Sequence, residues 1–363
     1  MAASPVLFVL PSLEVGGAER VVVRLLRDLP RDRLEPHVAL VRRAGPLLRD
    51  LPPDVPVHDL GARRVRFAAF PVARLARRID ARIVFSTLGH LNLALLSSRA
   101  LLPAAARLVV REANTVSAEV KRARLGLAWR LGYRWLYPRA DAIVCPSRAV
   151  LEDLATEFAT PRNRLHHIPN PIDAVALREE GAKGGSPYPF PGRHVLSVGR
   201  LARQKGFLGL IDAFDEVVQA DGEAHLWIVG EGPERPALES RVAELRIGER
   251  VHLPGFVENP FAWMHHATLY VQSSEFEGLP NALLEALACG TPVIALDEPG
   301  GTQEIVDGAG GALLLRDRSP TALGRAIVRV LREGPAGEPS LPEEYTPERV
   351  VDAYVELLTR LLG

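Results

Sequence analysis

Residues 277–285 read EGLPNALLE, and residues 195–206 read VLSVGRLARQKG. In the first stretch a glycine and a proline precede a strong helical pattern, so we expect a helix to begin beside Pro280. The first backbone N–H groups of such a helix, together with its dipole, attract phosphate or another anion. In the second stretch Arg200 and Lys205 follow an apolar strand, at the end where parallel α/β sheets bind ligands. The two stretches together predict a diphosphate site in a doubly wound α/β fold.

Strand-like runs alternate with helical patterns along the whole chain, which indicates parallel sheets covered by helices. The runs that predict strands are 6–10, 36–41, 83–86, 108–111, 142–145 and 165–168 in the first half, and 195–198, 226–229, 251–253, 269–272, 292–296 and 312–314 in the second. With 363 residues, the chain exceeds the usual size of a single hydrophobic core. We therefore expect two α/β domains, each built on a doubly wound parallel sheet.

The domain boundaries follow from a change in composition. Residues 180–192 read EGAKGGSPYPFPG, a glycine- and proline-rich stretch that is typical of a linker. We expect a first domain at 1–175, a linker at 176–192, a second domain at 193–345 and a final amphipathic helix at 346–363.

The overall composition is that of an ordinary globular protein, with 47% hydrophobic and 24% charged residues. Its two cysteines, Cys145 and Cys289, lie in apolar contexts without metal-ligand spacing, which favours a reduced, cytosolic compartment. The apolar run at 6–10 indicates a first strand rather than a signal peptide. The stretch at 91–110 is interrupted by polar residues and proline too often to span a bilayer. We expect no nucleic-acid partner.

The neutral net charge conceals an asymmetry between the two halves. Residues 1–170 contain 27 basic and 15 acidic residues, a net charge of +12, whereas residues 171–363 contain 17 and 29, a net charge of −12. Basic clusters lie at 63–66, 74–78 and 121–124, and the last of these precedes four aromatic residues, at positions 129, 133, 135 and 137. Such a surface suits anionic lipid headgroups or a lipid-diphosphate acceptor, and a peripheral position on the inner face of a membrane. A solvated helix face in an arginine-rich protein is the alternative.

Several ordered motifs carry a resemblance to a known family. Glu277 and Glu285 are separated by seven residues, and RLARQKG lies upstream at 200–206; the other matching motifs are PSLEVGGAER at 11–20, NPID at 170–173 and VGEGPE at 229–234. Together these resemble the retaining GT-B glycosyltransferases of family 4. The resemblance implies two Rossmann-like domains facing an interdomain cleft, with the acceptor bound by the first domain and the donor by the second. The final helix would pack back onto the first domain.

The implied activity is transfer of a sugar from a nucleotide-diphosphate sugar, with a UDP-sugar favoured, to an acceptor hydroxyl. The product would be a lipid-linked glycan, a polysaccharide or a glycolipid, formed with retention of the anomeric configuration. No DxD-type motif lies in a matching position, so we expect no metal and no other cofactor, with cations of the protein replacing Mg²⁺.

In this resemblance Arg200 and Lys205 hold the donor diphosphate and offset the charge that develops on the leaving group. Glu285 would bind the ribose and Glu277 the transferred sugar. Other residues expected at the donor are Gly16, Gly17, Gly230, Glu231, Phe256, Val257, Gly278, Leu279, Pro280 and Asn281. Each has a plainer alternative as a surface cation, a capped carboxylate or ordinary turn chemistry.

One departure concerns catalysis, because many family members have a histidine after the strand at 108–110. This chain reads REAN at 111–114 instead. Glu112 and His90 are therefore candidate catalytic residues beside Glu277, Arg200 and Lys205. Arg111 and Asn114 are candidate acceptor-binding residues, although His90 could also be a hydrogen-bonded loop histidine.

Two other functions remain open. A nucleotide-sugar 2-epimerase shares the sheet layout, but the spacing of Glu277 and Glu285 argues against it. A non-catalytic nucleotide-sugar-binding subunit would account for the missing histidine, whereas the retained sugar-site residues favour an enzyme.

Overall fold

The computed structural model describes residues 3–14, 16–123 and 125–363. The chain forms two compact units. The first runs from the amino terminus to Pro171 and includes Pro347–Gly363, and the second is Ile172–Thr346.

The first unit is built on a seven-stranded parallel sheet. Its strands are β1 (Ser4–Leu10), β2 (Leu34–Leu40), β3 (Val57–Asp59), β4 (Ile83–Thr87), β5 (Arg107–Arg111), β6 (Ala142–Cys145) and β7 (Leu165–His167). They lie in the order β3-β2-β1-β4-β5-β6-β7. Strands β1 and β2 pair over their whole length, from Ser4 opposite Leu34 to Leu10 opposite Leu40.

Helices cover both faces of this sheet. They are α1 (Gly17–Asp28), α2 (Ala69–Arg78), α3 (Gly89–Ser97), α4 (Val116–Arg122), α5 (Gly126–Leu136) and α6 (Arg148–Glu157). Alternate residues of β1 face opposite layers: Leu7 and Val9 pack with α2 to α6, whereas Val6 and Phe8 pack with α1. This alternation follows from the two-residue period of a strand and produces two cores, one on each face.

The second unit repeats the design with six parallel strands. These are β8 (Arg193–Val198), β9 (Ala224–Val229), β10 (Val251–Gly255), β11 (Leu269–Gln272), β12 (Val293–Leu296) and β13 (Ala312–Leu315), in the order β10-β9-β8-β11-β12-β13. The helices are α7 (Ala174–Ala182), α8 (Phe207–Ala220), α9 (Arg235–Leu245), α10 (Pro260–His266), α11 (Asn281–Ala288), α12 (Thr302–Gly308) and α13 (Pro320–Glu333). Helices α8, α9 and α13 pack on one face with Val195, and α7 and α10 to α12 pack on the other with Leu196.

The last helix, α14 (Pro347–Leu362), belongs to the first unit, where Val350 and Tyr354 join the core beside α1. Seven short 3-10 helices complete the described elements: Pro46–Asp50, Val65–Phe67, Arg99–Leu101, Tyr137–Arg139, Arg162–Arg164, Arg203–Lys205 and Glu343–Tyr345. Within the described chain, no helix combines the length and the apolar character needed to cross a membrane.

The structure confirms two doubly wound parallel sheets, and all twelve predicted runs form strands. The additional strand, β3, has only three residues, all at least partly exposed, and carries no apolar run. The predicted linker at 176–192 begins inside α7. This helix packs closely on α10, because a Cβ at Gly181 would lie 2.9 Å from the His265 Cβ.

Candidate functional site

The strand order of the second sheet reverses between β8 and β11, which are neighbours in the middle of the sheet. Open α/β sheets bind ligands outside the carboxyl ends of their strands at such a reversal. The loop after β8 carries Lys205, and the loop after β11 carries Glu277. The structure brings these two residues together, with Lys205 Nζ 2.6 Å from Glu277 Oε1. This ion pair is the centre of the candidate site.

The Glu277 carboxylate is nearly buried, and neighbouring side chains hold it in place. Ser274 Oγ donates to Glu277 Oε1 at 2.6 Å, and Gln272 Nε2 donates to the same oxygen at 3.1 Å. Gln272 Nε2 also lies 2.6 Å from Ser274 Oγ. Because three donors including Lys205 converge on one oxygen, this carboxylate has little rotational freedom.

The backbone of Glu277 is held by a second carboxylate, that of Glu298. Glu298 Oε2 accepts the Glu277 N–H at 2.7 Å, and Glu298 Oε1 accepts the Thr302 hydroxyl at 2.6 Å. Burial, with a contribution from the nearby Glu277 charge, raises the pKa of Glu298 to about 7. Glu298 therefore links the loop after β12 to the site.

The loops after β8 and β11 are joined by direct contacts. Gly206 has a φ of 66°, and a Cβ there would lie 2.1 Å from the Ser273 carbonyl oxygen. Ser273 Oγ donates to the Lys205 carbonyl at 2.8 Å, and Gln204 Nε2 donates to the Phe276 carbonyl at 2.9 Å. Only glycine fits at position 206, because the left-handed conformation and the close backbone both exclude a side chain.

A second close approach lies at the end of β9. Gly230 has a φ of 140°, and a Cβ there would lie 2.0 Å from the Gly199 carbonyl oxygen. The Glu231 carboxylate is paired with Arg235, through Nη2 to Oε1 at 2.7 Å and Nε to Oε2 at 3.0 Å. Close backbone packing explains why a glycine stands at position 230. The carboxylate of Glu231, in the turn after β9, is bound by Arg235 at the start of α9. Donor contacts at both positions remain predictions.

Helix α11 begins at Asn281, directly after Pro280, as the sequence predicts. The Pro280 carbonyl accepts the N–H groups of Leu283 and Leu284, and the Gly278 carbonyl accepts the Gly301 N–H at 2.9 Å. Leu279 is buried beneath this turn. The start of α11 thus lies directly after the loop that carries Glu277.

Glu285 lies one turn inside α11 and is buried. Burial, with a smaller effect of the Glu285 charge, raises the pKa of Cys289 to about 12. Arg200 is exposed and forms no side-chain hydrogen bond or ion pair within the described residues. The Phe256 ring is exposed and Val257 is half-buried. The structure therefore assembles Lys205 and Glu277 tightly and leaves Arg200 available to a ligand.

The first sheet has its own reversal, between β1 and β4. Gly16 caps α1 in an extended conformation, and Gly17 begins the helix. A Cβ at Gly16 would lie 2.2 Å from Glu19 Oε2. Burial raises the pKa of Glu19, and the charge of Arg111 opposes this rise. The predicted glycine pair therefore lies beside the buried carboxylate of Glu19.

A buried polar network lies at the carboxyl ends of β4 and β5, around Glu112. Tyr137 donates its hydroxyl to Glu112 Oε1, and Asn92 Nδ2 donates to the same oxygen at 3.0 Å. Ser86 Oγ donates to Asn92 Oδ1 at 2.7 Å. Burial, followed by the charge of Glu119, holds the pKa of Glu112 well above its ordinary value. Glu112 is enclosed by its own unit.

The other candidates of the first unit differ in exposure. Arg111 is buried, with Nη1 3.3 Å from Thr87 Oγ1 and Nη2 2.5 Å from Asn170 Oδ1. Asn114 Nδ2 donates to Glu119 Oε1 at 2.6 Å. His90 is exposed at the start of α3, and its side chain forms no hydrogen bond among the described residues. Of these candidates, His90 is the most accessible to a ligand.

Sequence reasoning missed the residues that support Glu277. They are Gln272, Ser274, Glu298 and Thr302. The sequence contains a signal for them, because polar residues lie at or just after the predicted strands 269–272 and 292–296. The carboxyl ends of parallel strands lie at the same edge of the sheet, so these residues could have been predicted to lie near Glu277. No group of three or more His, Cys, Asp or Glu side chains in the described ranges is arranged to hold a metal ion.

Two family models match the chain. Glycosyltransferase Family 4 matches residues 15–175, and Glycosyl transferases group 1 matches residues 192–333. The first model covers most of the first unit, and the second model lies within the second unit. Each of the two sheets therefore belongs to a region that matches a glycosyltransferase family.

Curated relatives extend over most of the chain. The N-acetylgalactosamine-N,N'-diacetylbacillosaminyl-diphospho-undecaprenol 4-alpha-N-acetylgalactosaminyltransferase of Campylobacter jejuni is 30% identical over 306 residues, which cover 81% of each protein. A lipopolysaccharide core biosynthesis glycosyltransferase of Rhizobium meliloti, LpsD, is 27% identical over 361 residues, 95% of each.

A solved structure shares the fold. The Anabaena protein HepE, in complex with UDP and glucose, superposes with a TM-score of 0.80 at 18% identity, over 98% of this chain and 100% of that one. The family models and the curated relatives show that the chain is a sugar-transferring enzyme. The chain therefore belongs to the GT-B glycosyltransferases of family 4.

Proposed function

We propose that the protein transfers a sugar from a nucleotide-diphosphate sugar, in the first instance a UDP-sugar, to an acceptor hydroxyl with retention of configuration. The observation that carries this proposal is the Lys205–Glu277 pair, 2.6 Å apart at the reversal of the second sheet. A cation next to an oriented carboxylate suits a ligand with a diphosphate and a sugar. Support comes from HepE of Anabaena, which binds UDP and UDP-glucose.

In this proposal the bond from the sugar C1 to the leaving phosphate oxygen breaks, and the acceptor oxygen bonds to C1 on the same face. Lys205 and Arg200 offset the negative charge that moves onto the nucleoside diphosphate, a role that elsewhere falls to Mg²⁺. Glu277 orients the sugar hydroxyls, and Glu285 binds the ribose. The acceptor hydroxyl passes its proton to the departing phosphate oxygen of the donor, and no covalent sugar–enzyme intermediate forms.

The proposed acceptor is a lipid-linked glycan or a growing polysaccharide. The Campylobacter relative acts on a diphospho-undecaprenol acceptor and the Rhizobium relative in lipopolysaccharide core synthesis, according to their names. In the first unit, the proposed acceptor-binding residues are Arg111 and Asn114, and the proposed catalytic residues are His90 and Glu112. His90 is exposed, whereas Arg111 and Glu112 are buried and would reach the acceptor only if the network around them opens. A polyprenyl-linked acceptor is confined to a bilayer, so we place the enzyme in the cytoplasm, at the inner face of a membrane.

A binding screen tests the donor. Thermal unfolding is followed with UDP, GDP and ADP, since a ligand at a hundred times its Kd stabilises a protein by about 2.7 kcal/mol. UDP should raise Tm most, and chelation of metals by EDTA should not abolish the shift. Absence of a shift with all three nucleotides would contradict the donor site.

A turnover assay tests the reaction. UDP-sugars are supplied with a short-chain polyprenyl-diphosphate sugar, and the anomeric configuration of the product is read by NMR. A product formed with retention supports the proposal. Epimerised donor without acceptor would identify a 2-epimerase, and nucleotide binding without turnover on any acceptor would identify a binding subunit.

A further inference from the structure

Three histidines form a cluster in the second unit, away from the candidate donor site. Each is the second residue of its strand: His194 in β8, His225 in β9 and His252 in β10. His194 lies opposite His225 in the sheet, and Trp227 lies opposite His252. Partners in a parallel pair share a face with the alternate residues of each strand, so these four side chains lie on one side of the sheet. The loops of the donor site follow the other ends of the same strands.

The donors around the cluster fix the position of each proton. Arginine and tryptophan side chains donate hydrogen bonds but do not accept them. Arg250 Nη1 lies 3.1 Å from His225 Nε2, so this nitrogen accepts and the proton of neutral His225 is on Nδ1. His225 Nδ1 lies 3.0 Å from His252 Nε2, which must then accept. Trp227 Nε1 donates to His194 Nδ1 at 3.2 Å. Each imidazole therefore uses its unprotonated nitrogen as an acceptor.

Protonation of any one imidazole would bring two N–H groups face to face, because an imidazolium carries a proton on both ring nitrogens. A proton added to His252 would point at the N–H of His225. A proton added to His194 would point at the indole N–H of Trp227. On His225 the added proton would lie against the guanidinium of Arg250. Buried donors without an acceptor are costly, so this geometry requires three neutral imidazoles.

No carboxylate compensates a positive charge on this cluster. Among the described residues, the three imidazoles form no hydrogen bond or ion pair with an acidic side chain. The charges that act on them are those of Arg250 and of the other imidazoles. Arg193, which precedes His194, is paired with Asp221 at 2.6 Å. A charge on the cluster would therefore meet only like charges.

The same environment opposes protonation of each ring. Burial, followed by the neighbouring positive charges, holds the pKa of all three histidines below the ordinary value. A backbone hydrogen bond with Phe190 acts in the opposite direction at His194. The effect is largest at His252, whose pKa falls to about 4. The hydrogen-bond directions and the electrostatics thus agree.

The first sheet carries a similar arrangement that ends differently. Arg78 Nη2 lies 3.3 Å from His58 Nδ1, and His58 Nε2 lies 3.2 Å from His37 Nδ1. His37 Nε2, however, lies 3.3 Å from Glu35 Oε1. A carboxylate is therefore available to a protonated imidazole in the first sheet, whereas the cluster in the second sheet has no such partner.

The segment at 186–190, which we call the strap, lies against the histidine cluster. The Tyr188 ring stacks on His194 with centroids 4.0 Å apart and planes at 10°. The Phe190 ring stacks on His225 with centroids 5.6 Å apart and planes at 18°. The Tyr188 hydroxyl donates to the carbonyl of Trp263, on α10, at 2.7 Å. The position of the strap therefore depends on the rings that must stay neutral.

We propose that the histidine cluster and the strap form an acid-sensitive conformational switch in the second unit. At neutral pH the uncharged cluster holds the strap on the sheet. As pH falls below about 6, protonation breaks the hydrogen bonds of the cluster and the strap leaves. Strand β8 runs from the cluster to the loop of Arg200 and Lys205, so opening would loosen the donor site. Only this consequence rests on the proposed function.

Urea unfolding of the full-length protein at pH 7 and pH 5 tests the switch. A histidine whose pKa is about 4 when folded and about 6.5 when unfolded contributes stability that is complete above pH 6.5 and is lost as pH falls. For His252 alone, the equilibrium constant of unfolding should rise about twentyfold between pH 7 and pH 5. His252→Gln keeps an acceptor for the His225 N–H but does not titrate, so it should lack this part of the rise.

A second variant and a matched control accompany this measurement. Arg250→Gln should also reduce the rise, because an amide can accept as well as donate and so tolerates a protonated His225. His265→Gln is the control: this histidine is exposed on α10, and its Nδ1 lies 3.4 Å from the Cys289 carbonyl, an acceptor that suits a charged ring equally well. It should behave like the wild type. Comparison with the wild type removes the contribution of other titrating groups, such as Glu298.

Two spectroscopic measurements follow the cluster directly. At pH 7.5, nitrogen-15 NMR should show His225 and His252 protonated on Nδ1 and His194 protonated on Nε2. Hydrogen exchange, corrected for the intrinsic effect of pH, should show the amides of β10 becoming less protected between pH 7 and pH 5 in the wild type but not in His252→Gln. The UDP-induced thermal shift at pH 8 should be the same in all variants, which separates this test from failure of the donor site.

Three results would overturn the proposal. The first is a wild-type rise of the unfolding constant in both His252→Gln and Arg250→Gln. The second is a His225 ring protonated on Nε2 at neutral pH. The third is unchanged protection of β10 at pH 5, which would leave a stability effect without movement of the strap.

Discussion

Replacing Gly206 by alanine should destabilise the second unit. Gly206 has a φ of 66°, and a left-handed conformation costs an L-residue about 1 to 2 kcal/mol. The new Cβ would also lie 2.1 Å from the Ser273 carbonyl oxygen, a backbone atom that cannot rotate away. Relieving such an overlap costs a further amount of roughly 1 to 3 kcal/mol. We expect a total loss of about 3 kcal/mol.

The same substitution should disturb the site. Lys205 precedes Gly206, its carbonyl accepts the Ser273 hydroxyl, and its Nζ lies 2.6 Å from Glu277 Oε1. Moving Gly206 away from Ser273 therefore moves Lys205 relative to Glu277. Because a displacement of about 1 Å can cost about a hundredfold in rate, kcat/KM should fall by roughly that factor.

The matched control is Gly209→Ala, three residues later in α8. A Cβ at Gly209 has no neighbour within 4 Å, so alanine should stabilise the helix by about 0.5 to 1 kcal/mol. Calorimetry should show Tm of the second unit falling by about 6 to 12 °C in Gly206→Ala and rising slightly in Gly209→Ala. A Gly206→Ala protein with wild-type Tm and wild-type kcat/KM would refute the reasoning.

Three further predictions concern the charged groups. Lys205→Ala should lower kcat by about a hundredfold or more, while circular dichroism shows an intact fold. Arg200→Lys should lower kcat/KM, because an ammonium group cannot bind phosphate in a bidentate way. Unchanged kinetics in both variants would contradict the assignment of these residues to the diphosphate. Glu285→Ala should weaken UDP binding measured by calorimetry, whereas Glu277→Gln should mainly lower kcat; equal UDP affinity in Glu285→Ala and the wild type would contradict the ribose role. Burial raises the pKa of Glu298 from an ordinary value of 4.5 to about 7, so between these two pH values the folded state retains a proton that the unfolded state loses. The stability that this proton contributes is complete below the unfolded pKa and is lost as pH rises through 7. Between about pH 5 and about pH 8, the free energy of unfolding of Glu298→Gln should therefore rise by about 2 kcal/mol relative to that of the wild type, measured by urea unfolding. A difference between the two proteins that does not depend on pH would count against a buried neutral carboxyl.

The strands were predictable because central strands of a parallel sheet are buried on both faces and form continuous apolar runs. Strand β3, with the sequence VHD, gave no such signal. The glycine at position 181 favoured a linker in the sequence, yet it lies inside α7. Its missing side chain allows α7 to approach the Phe261 carbonyl, to which a Cβ would lie 3.0 Å. Local sequence cannot distinguish a glycine that breaks a helix from one that permits close packing.

The site was predictable only in part. Lys205 and Glu277 could be proposed from loop chemistry after strands, but the side chains that hold Glu277 come from separate segments. Glu298 is 21 residues away from the backbone N–H that it accepts. For α5, the sequence showed basic and aromatic residues together, and the structure divided them into a buried face with Tyr133 and an exposed face with Trp135.

The sequence by itself determined the number and order of the buried strands and the polar residues that follow them, because these depend on runs of a few neighbouring residues. Only the tertiary structure decided that Lys205 meets Glu277 across 72 positions, and that Arg111 and Glu112 are enclosed rather than exposed. The reason is physical: strand order and helix packing are chosen by burial of the whole apolar surface. No local pattern specifies which strand ends become neighbours.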